Sequence, residues 1–169
     1  MLTGYTPCFR REAGSYGSDV RGLNRLHQFD KVEIVRIEEP SKSYEVLDEM
    51  VEHVKNLLLE LELPFRIVRL CGGDLGFTSA ITYDFEVYSM GQNKWLEVSS
   101  VSNFESFQSN RLNLKIDLGD KNKNYAHTLN GSSLALPRIV ACILENFQEK
   151  DHINIPEKLH KYTGFKQIK

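Results

Sequence analysis

No apolar run in the chain approaches ~18 residues, the length at which a helix crosses a bilayer, so no membrane span is expected. The opening residues MLTGYTPCF have neither the basic start nor the apolar stretch of a signal peptide. They also give no lead-in to the first charged motif, which predicts a truncated chain. Cysteine is scarce: Cys8, Cys71 and Cys142 form no CxxC pair and sit in no recognisable nucleophile signature. An odd, scattered set suggests a reducing compartment and buried thiols. His27, His53, His127, His152 and His160 show no metal-ligand spacing, which argues against a zinc site. An excess of one charge is missing too. Twenty-one Lys and Arg face 23 Asp and Glu, a net charge of −2. That balance excludes a protein that coats nucleic acid along its whole surface and leaves room for a local basic site. Internal repeats and low-complexity linkers are absent.

What is present fits one domain: 169 residues, 41% hydrophobic, enough for a real core. Residues 5–12 alternate, with Cys8, Arg10 and Glu12 on one face and Phe9 and Arg11 on the other. Gly14, Gly17 and Gly22 mark a long loop. Residues 26–38 read as a returning strand, with His27, Phe29, Lys31 and Glu33 on one face and Gln28, Asp30, Val32 and Ile34 on the other. Pro40 ends it, and Ser41 or Ser43 can cap a helix whose apolar stripe runs from Val46 to Leu58. Strands are predicted at 65–70, 82–90 and 94–102, a helix at 104–115 and a polar surface turn at 117–124. Residues 127–133 read as strand into loop, and 134–147 as an apolar helix. This order predicts an α+β fold, an antiparallel sheet flanked by helices; the βαβα alternation of a parallel sheet is absent.

Three constellations carry chemistry. If the first two strands pair, Arg10, Glu12, Phe29 and Glu33 share one sheet surface. Arginine binds phosphate bidentately, a ring stacks on a base, and a carboxylate accepts from an exocyclic amine. The competing reading is a salt-bridged sheet with Phe29 in the core. Second, TLNGSSLALPR puts a small polar loop before a helix with Arg138 in its first turns, where helix N-termini attract anions. An ordinary capped core helix reads the same way. Third, LEVSS offers Glu97 and Ser99 on one face with Ser100 pointing away. A carboxylate and a hydroxyl can hold Mg²⁺ with phosphate oxygens and water. Glu97 and Ser100 act together only if the strand bends or bulges, and Asn103 is a candidate for that break.

These segments together resemble a known family. FRREAGSYGSDVRGLNRLHQFDKVE resembles motif 2 of the class II aminoacyl-tRNA synthetases in their seryl form, and TLNGSSLALPRIVACILEN resembles motif 3. YDFEV and LEVSSVSNFESFQSNR match as well. The resemblance covers essentially the whole chain, with motif 2 at about 9–33 and motif 3 at about 127–147. It implies the C-terminal part of a catalytic domain, without the family's N-terminal coiled-coil arm, motif 1 or Thr-x-Glu loop. It also implies ATP-dependent activation of L-serine and its transfer to serine tRNA, in a cytoplasmic enzyme that is a homodimer at full length. Site roles follow from the resemblance. Arg10 contacts the α-phosphate, and Arg11 and Glu12 complete the ATP triplet. Phe29 stacks on adenine. Arg138 holds the γ-phosphate, and Glu97 and Ser100 hold Mg²⁺, with Val98 and Ser99 filling the ATP-contacting strand. Glu33, Asn130 and Ser132 contact serine, and Arg21 and Arg25 approach the tRNA. Lys121 and Lys123 read as surface charge. Two other readings are a paralogue that loads a carrier protein and a non-catalytic interaction domain. The motif match argues against the first, and the presence of Arg10 and Arg138 against the second. The segment alone is expected to fold and to charge tRNA hardly at all.

Overall fold

The computed structural model describes residues 1–11, 22–117, 119 and 123–169. Among these described residues, ten strands and four helices follow in order: β1 (Leu2–Phe9), β2 (Gln28–Glu38), α1 (Ser43–Glu60), β3 (Phe65–Arg69), β4 (Ile81–Ser89), β5 (Lys94–Asn103), α2 (Phe107–Leu112), β6 (Lys115–Ile116), β7 (Asn124–Tyr125), β8 (His127–Ala135), α3 (Leu136–Asn146), β9 (Ile153–Asn154), α4 (His160–Thr163) and β10 (Gln167–Ile168). Six strands form an antiparallel sheet in the order β1-β2-β8-β5-β4-β3. β6 with β7 and β9 with β10 make separate two-stranded ribbons. The expected α+β class is the observed one.

The sheet has two unlike faces because its strands alternate. Ile34, Gly131, Val101 and Tyr83 stand in one row across four strands. Arg36 is on this same face of β2 and reaches Glu49 of α1 at 3.3 Å, which fixes it as the helix side. Val46, Leu47, Met50, Val54 and Leu58 of α1 bury their stripe there. They join Phe85, Val87, Leu129, Ile139, Cys142 and Ile143 in one core. Gly131 is needed in this row: a Cβ would meet Val101 Cγ2 at 2.8 Å. The other face carries Glu33, Asn130, Ser102, Ser100, Asp84 and Glu86, a polar row that no apolar face could cover.

Four local expectations differ from the structure. β1 occupies Leu2–Phe9 rather than 5–12, so Arg10 and Arg11 lie just past it. The helix expected over 104–115 is only Phe107–Leu112, because Asn113 takes a left-handed φ of 51° that stops it. The residues after it enter the β6–β7 ribbon; of the turn expected at 117–124, Asn124 is in β7, and residues 118 and 120–122, Lys121 among them, lie outside the described residues. Ser43 is not a cap. It is the first residue of α1, fully buried, with its hydroxyl donating to Pro40 O and meeting His127 Nδ1 at 2.8 Å and Asn103 Nδ2 at 3.1 Å.

Residues 127–133 do not run into a loop. β8 continues to Ala135 and passes straight into α3, because this strand lies between β2 and β5 and its backbone groups must be paired on both sides. The junction is absorbed by an extra residue in β8. Lys31 pairs with Ala135 but Glu33 with Ser132, and Leu134 takes a φ of 89°. α3 then begins with Pro137 in its first turn and no side-chain cap. Its far end is pinned. Glu145 accepts from Ser89 and Gln92, and Asn146 Nδ2 donates to Tyr88 O at 2.9 Å.

Candidate functional site

The polar face becomes a site where three pieces meet: the β1–β2 hairpin, the first turn of α3 and the middle of β5. Cys8 pairs with Phe29, and Arg10 N donates to His27 O at 2.8 Å, so pairing extends one residue beyond the strand. This extension hangs the Arg10 guanidinium over the Phe29 ring, 4.6 Å from its centroid. Phe29 is therefore on the site face and outside the core. Glu12 and Arg21 lie outside the described residues. Arg11 is exposed at the strand end, and Arg25 is exposed just after a single 3-10 turn, Gly22–Asn24.

Two residues on from Phe29 and again two further, Lys31 and Glu33 point the same way. Ser132 Oγ donates to Glu33 Oε2 at 3.4 Å, and Lys31 Nζ lies 3.1 Å from the same oxygen. Asn130 sits two residues before Ser132, opposite Val35 and Ser102. Strand pairing thus joins a carboxylate and a hydroxyl that are 99 positions apart. Arg138, the third residue of α3, donates from Nε to Asn24 O at 3.0 Å and from a terminal nitrogen to Glu97 O. It ties the helix start to the turn before β2 and to β5 at once. Burial holds its guanidinium below the ordinary arginine range, only partly offset by Glu97.

The strand break needed at Glu97 is present, but not at Asn103. Phe85 pairs with Ser99 and Glu86 with Glu97, so Val98 is the extra residue. Asp84, on the same face as Glu86, pairs with Ser100, so Ser100 joins Glu97 on the polar face. The expected companion of Glu97, Ser99, is instead opposite Phe85, buried, and donates its hydroxyl to Ser132 O. Asn103 keeps regular pairing and is fully buried at the strand end.

Sequence reasoning left three members of this surface out. Asp84 and Glu86 alternate in YDFEV, and that spacing was the signal that both carboxylates face one way. Burial and then the Asp84 charge push the Glu97 carboxyl above its usual range, against the opposing pull of Arg138 and Arg10. Burial, with Glu86 and Asp74, does the same to Asp84, while a Ser100 hydrogen bond pulls it back. Asp84 Oδ1 is buried without a partner. Lys31 is the third. Among the described residues, no three His, Cys, Asp or Glu side chains converge closely enough to hold a metal by themselves. Arg10, Phe29, Lys31, Glu97, Ser132 and Arg138 line one open cleft. No described helix is long and apolar enough to cross a membrane.

Known proteins are similar to this chain in sequence and fold. The serine–tRNA ligase of Salinibacter ruber is 59% identical over 166 residues, which is 97% of this chain and 39% of the relative. That of Finegoldia magna is 53% identical over 164 residues, again 39% of its length. The chain therefore spans about two fifths of these curated relatives. The crystal structure of seryl-tRNA synthetase from Pyrococcus horikoshii complexed with ATP superimposes with a TM-score of 0.94 at 45% identity, over 98% of this chain and 38% of that one. The cytoplasmic serine–tRNA ligase from Naegleria fowleri in complex with AMP gives 0.92 at 35% identity, over 99% and 41%. Residues 1–147 match the family described as tRNA synthetase class II core domain (G, H, P, S and T). A cleft edged by Arg10, Phe29 and Arg138 on an antiparallel sheet, and sequence likeness along nearly its whole length, thus agree: this chain belongs to the class II tRNA synthetase core family.

Proposed function

We propose that this chain supplies the ATP- and serine-binding core of a serine–tRNA ligase. The supporting observation is the Ser132–Glu33 hydrogen bond, whose Ser132 lines the same cleft as Arg10, Phe29 and Arg138. One end of that cleft suits an amino acid and the other a nucleotide. The reaction is an exchange of bonds at phosphorus. A serine carboxylate oxygen attacks the α-phosphorus of ATP, the bond to the β-phosphate oxygen breaks, and pyrophosphate leaves with its electron pair. A terminal hydroxyl of tRNA then attacks the carbonyl of the mixed anhydride and displaces AMP.

No protein nucleophile is needed; positioning and fixed charge suffice. Arg10 faces the α-phosphate, where negative charge grows, and Phe29 offers its ring to adenine. Glu12 takes the adenine amine. Arg138 holds the γ-phosphate with its orientation set by Asn24 and Glu97. Arg11, Val98 and Ser99 complete the nucleotide wall. Glu33 pairs with the serine ammonium or hydroxyl, and Ser132 and Asn130 complete its shell. A site that hydrogen-bonds the hydroxyl rejects alanine by leaving buried groups unpaired. Arg21 and Arg25 approach the tRNA end.

The residues at Glu97 also suit Mg²⁺. Glu97 and Asp84 hold negative charge in a partly dry place, and Asp84 Oδ1 lacks a partner. Glu97 and Ser100 would hold the ion, sharing it with phosphate oxygens and water. When bound, it neutralises charge on the phosphates. The full-length protein is expected to be a cytoplasmic homodimer. The test is serine-dependent exchange of pyrophosphate into ATP by the full-length protein carrying this segment. Exchange driven by another amino acid in preference to serine refutes the reading.

A further inference from the structure

Among the described residues, Lys31 is the cation whose partner is the proposed serine ligand itself. Its Nζ lies 3.1 Å from Glu33 Oε2, the oxygen that also accepts from Ser132. The two side chains are 28% and 30% exposed, so the pair is partly shielded from water. The pairing is built in. Lys31 and Glu33 are two residues apart on one strand face, and the extra residue in β8 brings Lys31 opposite Ala135 beside the start of α3. An ammonium therefore already occupies the carboxylate that an amino acid's ammonium would need.

We propose that Lys31 is a positioning residue that stands in for the substrate ammonium: it holds the Glu33 carboxylate in place, and the α-ammonium of serine displaces it. This rests on the serine reading of Glu33 and adds a competition to it. The exchange is isoelectric, one ammonium for another, so the carboxylate is never left unpaired in a half-dry cleft. It also sets a substrate requirement. A serine whose amine is acylated carries no positive charge and cannot displace the lysine.

The competition predicts opposite shifts from two substitutions. Lys31→Met removes the competitor, and the dissociation constant of L-serine falls about two- to fivefold, the range set by a partly exposed ion pair. Lys31→Arg grips the carboxylate with a bidentate fork, and the same constant rises. Binding is measured by calorimetry on the full-length protein, with L-serine, N-acetyl-L-serine and ATP as separate titrants. ATP affinity stays unchanged and N-acetyl-L-serine fails to bind the unsubstituted protein. A merely structural ion pair gives the other pattern: Lys31→Met weakens serine binding or leaves it unmoved, and either result overturns the proposal. Loss of ATP affinity with serine binding unmoved makes Lys31 a phosphate contact and overturns it too. If the unsubstituted protein binds ATP but no L-serine, the functional reading fails first, and the titration of that protein alone reveals it.

Discussion

The two faces of the six-stranded sheet are made from alternate residues of the same strands, yet they are built to opposite ends. On the helix side, Phe85, Val87, Val101 and Leu129 are sealed from water. On the other, Glu97, Asp84 and Glu86 crowd like charges, with Arg66 of β3 paired to Glu86 and Arg138 and Arg10 offsetting only part of the burial of Glu97. The sealed face stabilises the fold. The crowded face is held in place by it and costs stability, as sites specialised for ligands do. Changes on one face should therefore move stability and leave binding alone, and changes on the other should do the reverse.

The largest effect is expected on the sealed face. Phe85→Ala leaves a cavity and costs about 3–5 kcal/mol, read by denaturant unfolding, while the serine and ATP affinities of the molecules still folded stay constant. Arg138→Ala inverts that pattern. It removes charge-assisted contacts worth roughly 1.5–3 kcal/mol each and cuts adenylate formation strongly. Pyrophosphate exchange within about threefold of the unsubstituted enzyme would sink the γ-phosphate role, since a smaller loss is below one such contact. Gly131→Ala tests the boundary between the faces. Its Cβ falls 2.8 Å from Val101 Cγ2, and overpacking of this kind costs about 1–3 kcal/mol. Because β8 also carries Asn130 and Ser132, this change alone should lower both stability and serine affinity. Glu33→Gln keeps the shape of the site and removes its charge. It raises the serine KM and spares ATP binding; the opposite result refutes the placement of Glu33.

The smallest effect concerns Glu97→Gln, and its sign is the informative part. The carboxyl of Glu97 is raised by folding, mainly by burial. The native state thus holds the proton more tightly than the unfolded chain. The stability penalty is absent below the unfolded pKa, grows as pH rises, and is complete above the folded one. Near neutral pH, Glu97→Gln should raise Tm while weakening magnesium-dependent ATP binding. At pH values below the ordinary carboxylate range the Tm difference should close. A lower Tm near neutrality contradicts the picture of a destabilised polar face.

Much of this division was legible in the sequence. The period-2 alternation of residues 26–38 assigned Phe29 and Glu33 to one face and Ile34 to the other, and the apolar stripe of α1 was read nearly residue for residue. What escaped was local geometry that only neighbours can decide. TLNGS is polar and glycine-bearing, and it reads as a loop until β2 and β5 are known to flank it. The resemblance supplied Ser100, where alternation alone gave Ser99, because one extra residue at Val98 is invisible in composition. Lys31 was seen on the correct face but read without its partner. The residues after 150, with β9, α4 and β10, carry no strong period, and no element was expected there.

Val98 acts on β5 as a frameshift acts on a message. Upstream of it, Trp95 and Glu97 keep one phase; downstream, Ser100 and Ser102 keep the other, and a single inserted residue brings the two phases onto the same surface. The strand thus carries one residue more than its partner over this stretch, and the bulge absorbs it. Without Val98, regular alternation alone would set Glu97 against Glu86, Ser99 against Phe85 and Ser100 against Asp84. The bulge is what lets β5 carry Val98 between Glu97 and Ser99 while Ser100 keeps its place on the polar face.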